Sequence, residues 1–322
     1  MTTPSILGIH HITAIAGDPQ RNLDFYTTIL GLRLVKLTVN FDDPGTYHFY
    51  FGNEKGTPGS ILTFFPWPDG RPGIVGSAQV TAITFAIPIS SVAYWRTRFS
   101  THGIGVNDAR ERFGETVLAI TDPDGLPLEL VASPQADPAS AWKDAPVDRE
   151  HAICGFHSAT LSEEGFEQTA RLLTDTMKFS LVGNERNRFR YELGGGAAGA
   201  TVDLLCTPAG RVGRLGTGAV HHIAWRTPDD AQQLQWRHDL VGLGYNVTPV
   251  IDRNYFHSIY YREPGGVLFE IATDPPGFAI DEPQEHLGER LMLPRQYESQ
   301  RPMLERVLPS LTLPTERSKV VR

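Results

Sequence analysis

The sequence predicts an α+β fold in which four βαβββ modules form two curved-sheet domains, followed by a C-terminal tail. Three observations lead to this prediction. The order of one strand, one helix and three strands occurs four times between residues 8 and 273. A glycine, one or two apolar residues and His-His-Ile occur twice, beginning at Gly8 and Gly218. The 322 residues, of which 40% are hydrophobic, are enough to build cores for such domains.

The first module covers residues 8 to 67. Its first strand, "HHITAIA", precedes a helix with Asp18 as N-cap, Pro19 as first residue and Gly31 as stop. The segments "LRLVKLTV", "YHFYFG" and "SILTFFPW" are rich in β-branched and aromatic residues and predict three further strands. One buried stripe on the helix is predicted by three residues at helical spacing, Leu23, Tyr26 and Leu30.

Three further segments repeat this order. They begin with "QVTAITFAIP", "GFHSATLS" and "VHHIAWRTP" and end with "DPDGLPLELVA", "ATVDLLCTP" and "EPGGVLFEIATD". A polar stretch rich in proline and alanine between the second and third modules is typical of a linker. We therefore expect an N-terminal domain over residues 1–132, a linker over 133–150, a C-terminal domain over 151–273 and a tail over 274–322 that packs on the body.

Charge and composition exclude several classes of protein. The formal net charge is -8 and both signs are interspersed, which argues against a nucleic acid or an anionic membrane as partner. No apolar run is long enough to span a membrane, and the first residues do not form a secretory signal. The two cysteines, Cys154 and Cys206, are too few for a disulfide framework or a thiolate metal site. These features predict a soluble cytoplasmic protein.

The fourfold βαβββ pattern resembles the vicinal oxygen chelate superfamily, which includes glyoxalase I, bleomycin-resistance proteins and extradiol ring-cleaving dioxygenases. The resemblance covers residues 8 to 273. It implies that modules pair so that their curved sheets form a cup that holds a metal. Edge strands in this superfamily often pair between chains, which leaves a homo-oligomer open. A fold of this kind does not by itself decide the chemistry.

The modules differ at the position of the second histidine of each pair. Module 1 has His11 there and module 4 has His222, whereas module 2 has Ala82 and module 3 has Ser158. Pairing modules 1 and 4 therefore brings two histidines into one cup. Pairing module 1 with 2 and module 3 with 4 would separate them and leave two incomplete sites, so we reject that arrangement.

A carboxylate completes the first cup. The strand ends "EPGGVLFE" and "DPDGLPLE" match each other, so Glu270 of module 4 corresponds to Glu129 of module 2. His11, His222 and Glu270 would form the facial triad of a non-haem Fe(II) oxygenase, with three coordination positions left for substrate and O₂. Such a ligand set does not distinguish sharply between Fe(II), which we expect, and Mn(II). Glu129, without histidines, is expected to be a solvated or salt-bridged remnant.

The alternation of a β-strand limits this prediction, because adjacent residues face opposite sides and only one histidine of each pair can point into the cup. Module 3 keeps the first histidine, His157, and lacks the second, which favours the second as the ligand. The pattern of the superfamily implies the same choice. His10 and His221 are then candidates for proton transfer or for orienting the ligands, or they only pack behind the site.

Further residues resemble the hydroquinone-type branch of the ring-cleaving dioxygenases, in particular the segments "YHFYFGNEKGTPGSILTFFPWP" and "RNYFHSIYYREPGGVLFE". Members carry His-His-Ile-Thr in the first strand and an arginine before the aromatic stretch, here Thr13 and Arg253. The resemblance also places a tyrosine, here Tyr260, near the metal and the substrate oxygen. Because Tyr260 and His257 lie on opposite faces of their strand, only one of them can face the site, and His257 stays a substrate-binding candidate.

The resemblance therefore implies an Fe(II)-dependent extradiol-type dioxygenase that opens a dihydroxylated aromatic ring and inserts both atoms of O₂. Two other functions remain open at this point. A glyoxalase-like isomerase or lyase generally has two glutamates around the metal, and module 1 has no carboxylate to supply the second. A non-catalytic resistance protein that binds a small molecule needs no metal triad.

Overall fold

The computed structural model describes residues 4–194 and 199–314. Within these residues, sixteen strands form two curved sheets of eight strands each, with helices packed against them. This arrangement confirms the α+β fold class. No helix in the described part of the chain is both long and apolar enough to cross a membrane.

The first sheet is built from modules 1 and 4. Its strands, in spatial order, are β14 (Ile251–Asp252), β15 (Phe256–Arg262), β16 (Leu268–Pro276), β13 (Ala219–Thr227), β1 (Ile9–Ala16), β4 (Ile61–Pro66), β3 (Asp43–Gly52) and β2 (Arg33–Asn40). At the centre, β1 and β13 run antiparallel. Each is flanked on its other side by the last strand of its own module, which runs parallel to it.

The second sheet repeats this plan with modules 2 and 3. Its strands, in spatial order, are β10 (Ser180–Glu185), β11 (Arg188–Glu192), β12 (Thr201–Cys206), β9 (Phe156–Glu163), β5 (Gln79–Ile87), β8 (Pro127–Ala132), β7 (Glu115–Thr121) and β6 (Asn107–Arg112). Each sheet therefore takes one module from residues 1–132 and one from residues 151–273. The domain boundaries expected from the sequence stay a prediction.

The helices cover the outer faces of the sheets. They are α1 (Pro19–Asp24), α2 (Val92–Thr101), α3 (Glu167–Arg171), α4 (Asp230–Gly242) and α5 (Arg301–Val307). The Asp18 side chain caps α1 by accepting from the backbone N–H of Arg21, as predicted. The predicted stripe of Leu23, Tyr26 and Leu30 is buried. One feature was not predicted: α1 and α3 each continue as a single π-helical turn, Phe25–Ile29 and Leu172–Thr176.

The central pairing of β1 and β13 contains two β-bulges, and each bulge involves a histidine. In β1 the extra residue is His10, and in β13 it is His221. Each is therefore the first histidine of its pair. The second sheet has the same irregularities where β5 pairs with β9, and there His157 is the extra residue of β9. A bulge locally breaks the alternation of side chains, so neighbouring residues need not point to opposite faces.

The C-terminal tail is fastened to module 1 by a fully buried lysine. The Lys36 ammonium on β2 forms ion pairs with Asp281 and Glu282 of the tail and lies 4.9 Å from the centre of the Tyr255 ring. The Tyr255 hydroxyl donates to Asp281 at 3.0 Å. Burying a cation requires such partners, because an unpaired charge in the interior is strongly destabilising. The tail thereby supports the wall of the sheet that bears Tyr50, an aromatic neighbour of Tyr255.

A buried carboxylate lies where the two sheets approach each other. Glu163, at the end of β9, is 1% exposed, and neither of its carboxylate oxygens has a hydrogen-bond partner among the described residues. Its carboxyl group packs so closely on Gly265, after β15, that a Cβ at that position would lie 2.3 Å from its Cδ. The neighbouring Glu263 accepts from the backbone N–H groups of Gly265 and Val267. Burial, together with the charge of Glu263, raises the pKa of Glu163 to about 8.

This raised pKa predicts a stability that falls as the pH rises from about 4.5 to about 8. Because the folded-state pKa of Glu163 lies above its ordinary value of 4.5, the protonated carboxyl is the stabilising form, and its contribution is lost as the pH rises through 8. Glu163→Gln should raise the free energy of unfolding at pH 9 by at least about 1 kcal/mol and change it little at pH 5. Denaturant titrations at both pH values measure this difference. Glu164→Gln, at an exposed neighbour, is the control; equal effects at both pH values would contradict the prediction.

Candidate metal centre

Three side chains meet at the centre of the first sheet. His11 on β1, His222 on β13 and Glu270 on β16 are all buried, and their ligand atoms form one compact group. The Nε2 atoms of the two histidines are 3.3 Å apart. Oε2 of Glu270 lies 3.3 Å from Nε2 of His11 and 2.9 Å from Nε2 of His222. The pairing of β1 with β13 and of β13 with β16 produces this meeting of modules 1 and 4.

The donor atoms fit a divalent metal ion. Ligands at about 2.0–2.2 Å from one ion and at right angles to each other lie about 3 Å apart, close to the three spacings seen here. Oε2 of Glu270 accepts no hydrogen bond from the described residues although both Nε2 atoms are near it, so it is a buried acceptor without a donor. The other oxygen, Oε1, accepts from the Ser258 hydroxyl, which fixes the carboxylate plane. The group therefore has the composition and spacing of a metal site.

The electrostatics keep Glu270 and His222 in the forms that bind a metal. Burial would raise the pKa of Glu270, but His11 and His222 hold it well below its ordinary value, so the carboxylate is ionised. Burial lowers the pKa of His222, which favours the neutral imidazole that a metal requires. A charged carboxylate and neutral imidazoles are the forms expected in a site of this type.

The first histidine of each pair contacts the second. Nδ1 of His10 lies 2.9 Å from Nδ1 of His11, and Nδ1 of His221 lies 2.8 Å from Nδ1 of His222. Since Nε2 of His11 and of His222 faces the metal position, each contact can fix the ring orientation and the tautomer of the ligand. Burial lowers the pKa of His10 well below its ordinary value and that of His221 to about 3.

Strict alternation would leave one histidine of each pair outside the cup, and for module 4 this expectation is wrong. A cavity of about 390 Å³ adjoins the candidate ligands, and both His221 and His222 line it. The bulge at His221 explains the difference. It interrupts the alternation of β13, so the side chain of His221 can face the cavity as His222 does. His10, in contrast, packs behind His11, against the Phe256 ring.

Three further residues selected from the sequence line the cavity, namely Thr13, Arg253 and Tyr260. Tyr260 lies directly opposite Glu270 on the neighbouring strand, and its ring contacts that of His222. Nε of Arg253 donates to the Tyr260 hydroxyl at 3.1 Å, and Nη1 lies 3.0 Å from Oδ2 of Asp42. Burial, together with the charge of Glu270, raises the pKa of Tyr260, so its hydroxyl stays protonated. The sequence did not indicate the contact between Arg253 and Asp42.

The structure places His257 away from this cavity. It lies on the opposite side of β15 from Tyr260, its Nδ1 lies 2.6 Å from Oδ1 of Asp230, and a third of its side chain is exposed. Strand alternation explains the exclusion, because the face bearing Ser258 and Tyr260 is turned to Glu270. His257 is therefore not positioned to contact a ligand in the cavity.

Several lining residues were not selected individually as site residues from the sequence. Most are aromatic or hydrogen-bonding side chains of module 1, with one more at the start of β15, namely Asn40, Phe41, His48, Tyr50, Phe65, Trp67 and Phe256. His48 carried a usable signal, since it is a histidine within a run of aromatic residues on β3, which β4 separates from the ligand-bearing strand β1. The other side chains could equally have been core residues.

The second cup contains a network of ion pairs where the first has its histidines. Glu129, the counterpart of Glu270, is held by Nη1 and Nη2 of Arg112 at 2.7 and 2.8 Å. Arg190 bridges Asp203 and Glu115, with contacts of 2.8 and 2.5 Å. The expected salt-bridged remnant is therefore confirmed for Glu129. Within the described residues, the group with metal-site spacing is the one in the first cup.

The two cups provide a matched test of metal binding. Glu270→Gln replaces an ionised ligand by a neutral amide, so we expect the metal retained after desalting to fall from about one ion per chain to less than about one tenth. Glu129→Gln makes the same change in the second cup and should leave the metal content unchanged. Elemental analysis of both variants and of the parent protein measures this. Equal metal contents in the parent protein and Glu270→Gln would show that the ion, if bound, lies elsewhere.

The chain is similar in sequence to known ring-cleaving dioxygenases. The chain is 52% identical to the provisionally named ring-cleaving dioxygenase MhqO of Bacillus subtilis (strain 168), over 94% of this chain and 96% of that protein. It is 35% identical to the chlorohydroquinone/hydroquinone 1,2-dioxygenase of Sphingobium indicum, over 94% of this chain and 95% of that protein.

A crystal structure of a provisionally named dioxygenase from Bacillus subtilis subsp. subtilis str. 168 matches the fold with a TM-score of 0.92. Its sequence is 50% identical, and the match covers 97% of this chain and 99% of that one. Residues 8–130 and 155–271 match the profile of the Glyoxalase/Bleomycin resistance protein/Dioxygenase superfamily, and these ranges include most of each of the four modules. The chain therefore belongs to the Glyoxalase/Bleomycin resistance protein/Dioxygenase superfamily.

Proposed function

We propose that this protein is a non-haem Fe(II)-dependent dioxygenase that cleaves the ring of a hydroquinone-like aromatic diol and inserts both atoms of O₂. The observation that carries the proposal is the buried group of His11, His222 and Glu270 at the wall of a cavity lined by aromatic rings. Mn(II) is the alternative ion, because both metals accept two imidazoles and a carboxylate. The names of the relatives, a ring-cleaving dioxygenase and a hydroquinone dioxygenase, support this chemistry.

The cavity suits a small aromatic ring. Its volume of about 390 Å³ lies near the lower end of the range for small-molecule sites. Phe65 and Trp67 stack near one another with ring centres 6.5 Å apart, and Phe256 packs on His11 with ring centres 4.9 Å apart. Flat apolar walls of this kind favour a planar ring and leave its orientation to a few polar groups.

Bound Fe(II) would supply a Lewis acid for a phenolate oxygen and open positions for O₂. The protein would supply the orientation of the substrate. Arg253 holds the Tyr260 hydroxyl, and this protonated hydroxyl is then available to a substrate oxygen bound beside His222. The guanidinium of Arg253 keeps its charge at any working pH and can stabilise negative charge in the cavity. Removing either group should impair the reaction more than the binding of the metal.

A glyoxalase-like isomerase is less consistent with the site. That chemistry generally uses a second glutamate around the metal, and β4, the strand of module 1 that corresponds to β16, reads Ile-Leu-Thr-Phe-Phe-Pro without a carboxylate. A binding protein that holds no metal would leave Oε2 of Glu270 buried without a hydrogen-bond donor or a metal ion to compensate for its burial. We also propose that the protein works in the cytoplasm, where Cys154 and Cys206 would remain the free thiols that the structure describes.

Oxygen uptake tests the proposed reaction. Protein loaded anaerobically with Fe(II) is offered hydroquinone, methylhydroquinone, chlorohydroquinone and catechol in turn, and we expect consumption of one O₂ per ring cleaved with the para-diols. His222→Ala should lower the rate by more than about 100-fold, since losing even a hydrogen-bonding partner of a ligand costs 10- to 100-fold. Glu129→Gln in the second cup serves as control and should keep the parental rate. A metal-loaded protein that consumes no oxygen with any of these diols would contradict the proposal.

A further inference from the structure

A chain of hydrogen bonds crosses the first sheet from Thr13, two residues after the candidate ligand His11. Thr13 on β1 lies opposite His222, and its Oγ1 is 2.8 Å from Oγ1 of Thr63 on the adjacent strand β4. Oγ1 of Thr63 is in turn 2.9 Å from Nε2 of His48 on β3. Thr13 and Thr63 are fully buried, and Thr13 and His48 line the cavity. The chain thus connects the strand of one candidate ligand to a polar group on the far wall.

The His48 ring is held in a fixed orientation. It lies between the rings of Tyr50 and Phe65, with centre-to-centre distances of 4.0 and 4.4 Å. Its Nε2 atom is committed to Thr63, whereas Nδ1 has no hydrogen-bond partner among the residues that the structure describes. Burial, with the neighbouring His11, lowers the pKa of His48 well below its ordinary value, so the ring is neutral. A neutral imidazole offers one donor and one acceptor, and here one of the two is left for a ligand.

The order of the strands in the sheet fixes how far His48 lies from the metal centre. In spatial order the strands run β13, β1, β4, β3, and neighbouring strands are about 4.8 Å apart. His48 therefore lies about two strand spacings, on the order of 10 Å, from the β1 strand that carries His11. A diol bound by one oxygen at the metal, with its ring between the aromatic walls, directs a para oxygen away from the metal. The second oxygen of an ortho-diol stays beside the first.

We propose that Nδ1 of His48, positioned through Thr63, forms the subsite that binds the far hydroxyl of a para-diol. This inference rests on the proposed function and names its substrate class more closely. Thr63 is a positioning residue, because its hydroxyl fixes the His48 ring and decides with Thr13 whether Nε2 donates or accepts. When Nε2 donates to Thr63, Nδ1 accepts from the hydroxyl of the substrate.

Such a subsite favours a para-diol over a phenol that lacks the second hydroxyl, because the phenol leaves a polar group of the protein unpaired. A phenol without the para hydroxyl fills the same space but leaves Nδ1 of His48 without a partner. Sites built to bind a substrate hydroxyl discriminate strongly against analogues that lack it, for this reason. The resulting preference should appear in binding alone, before any reaction with oxygen.

Anaerobic binding measures this preference without turnover. Protein loaded with Fe(II) is titrated with hydroquinone and with 4-methylphenol, in which a methyl group replaces the para hydroxyl. We expect hydroquinone to bind at least about tenfold more tightly, which corresponds to about 1.4 kcal/mol. His48→Phe keeps a stacked aromatic ring and Thr63→Val keeps the shape of the side chain, yet both should reduce the preference to within about twofold. Thr63→Ser, which retains the hydroxyl, should preserve it, and the affinity for 4-methylphenol should change little in all three variants.

Metal content and thermal unfolding are measured for each variant. Because His48→Phe and Thr63→Val change different residues, the test does not depend on the correct folding of only one variant. An unchanged preference in folded His48→Phe and Thr63→Val would overturn the subsite, as would a parent protein without any preference. Oxygen uptake tests the reaction separately. Uptake with hydroquinone but no change of preference in the variants would reject the subsite alone. A preference that the variants abolish, without oxygen uptake by the parent protein, would retain the subsite and reject the dioxygenase reaction.

Discussion

The antiparallel contact between β1 and β13 is the constraint on which the rest of the structure depends. It joins the first module to the last, across more than half of the chain, and thereby places His11 and His222 on neighbouring strands. Its two bulges bring the first histidine of each pair beside the second. Glu270 then needs only the regular parallel contact of β16 with β13 to reach both. The strands supply the rigid support that a ligand group of this precision requires.

The second sheet shows what the same architecture does without the ligands. It keeps the central contact, the bulge at His157 and the carboxylate Glu129, but it has Ala82 and Ser158 at the positions of the two histidines. There, arginines pair with the buried carboxylates, since buried charges must be compensated. In the first sheet the carboxylate of Glu270 has imidazoles as neighbours instead, and a metal ion would supply the missing positive charge.

The sequence allowed the repeated part of this structure to be predicted. Internal repeats gave the four modules, the signals at Asp18 and Leu23 gave the first helix, and comparison between modules indicated which pairs share a sheet. These features follow from local periodicity and from the histidine pairs, which are unusual residues in a packed strand. The position of His221 in the cavity could not be predicted. A bulge is defined by the pairing of two strands, and the sequence of one strand alone shows no pattern that reveals it.

The arrangement of side chains in the cavity beyond the candidate ligands could not be predicted from the sequence. The contact between Arg253 and Asp42 and the hydrogen bond between Thr63 and His48 join residues whose separation in space is fixed by strand order. Aromatic residues such as Phe65 and Trp67 occur in protein cores as well as in ligand sites, so their residue type does not show which of the two they line. The lysine that fastens the tail, Lys36, would be assigned to the surface by residue type alone.

A crystal structure of the Fe(II)-loaded protein, with anomalous diffraction recorded on both sides of the iron absorption edge, shows directly which residues bind the metal. We expect one iron peak per chain, within bonding distance of Nε2 of His11, Nε2 of His222 and Oε2 of Glu270, and no peak in the cup of Glu129 and Arg112. A peak bound by other residues, a second peak in the cup of modules 2 and 3, or an empty first cup in iron-replete crystals would contradict this expectation.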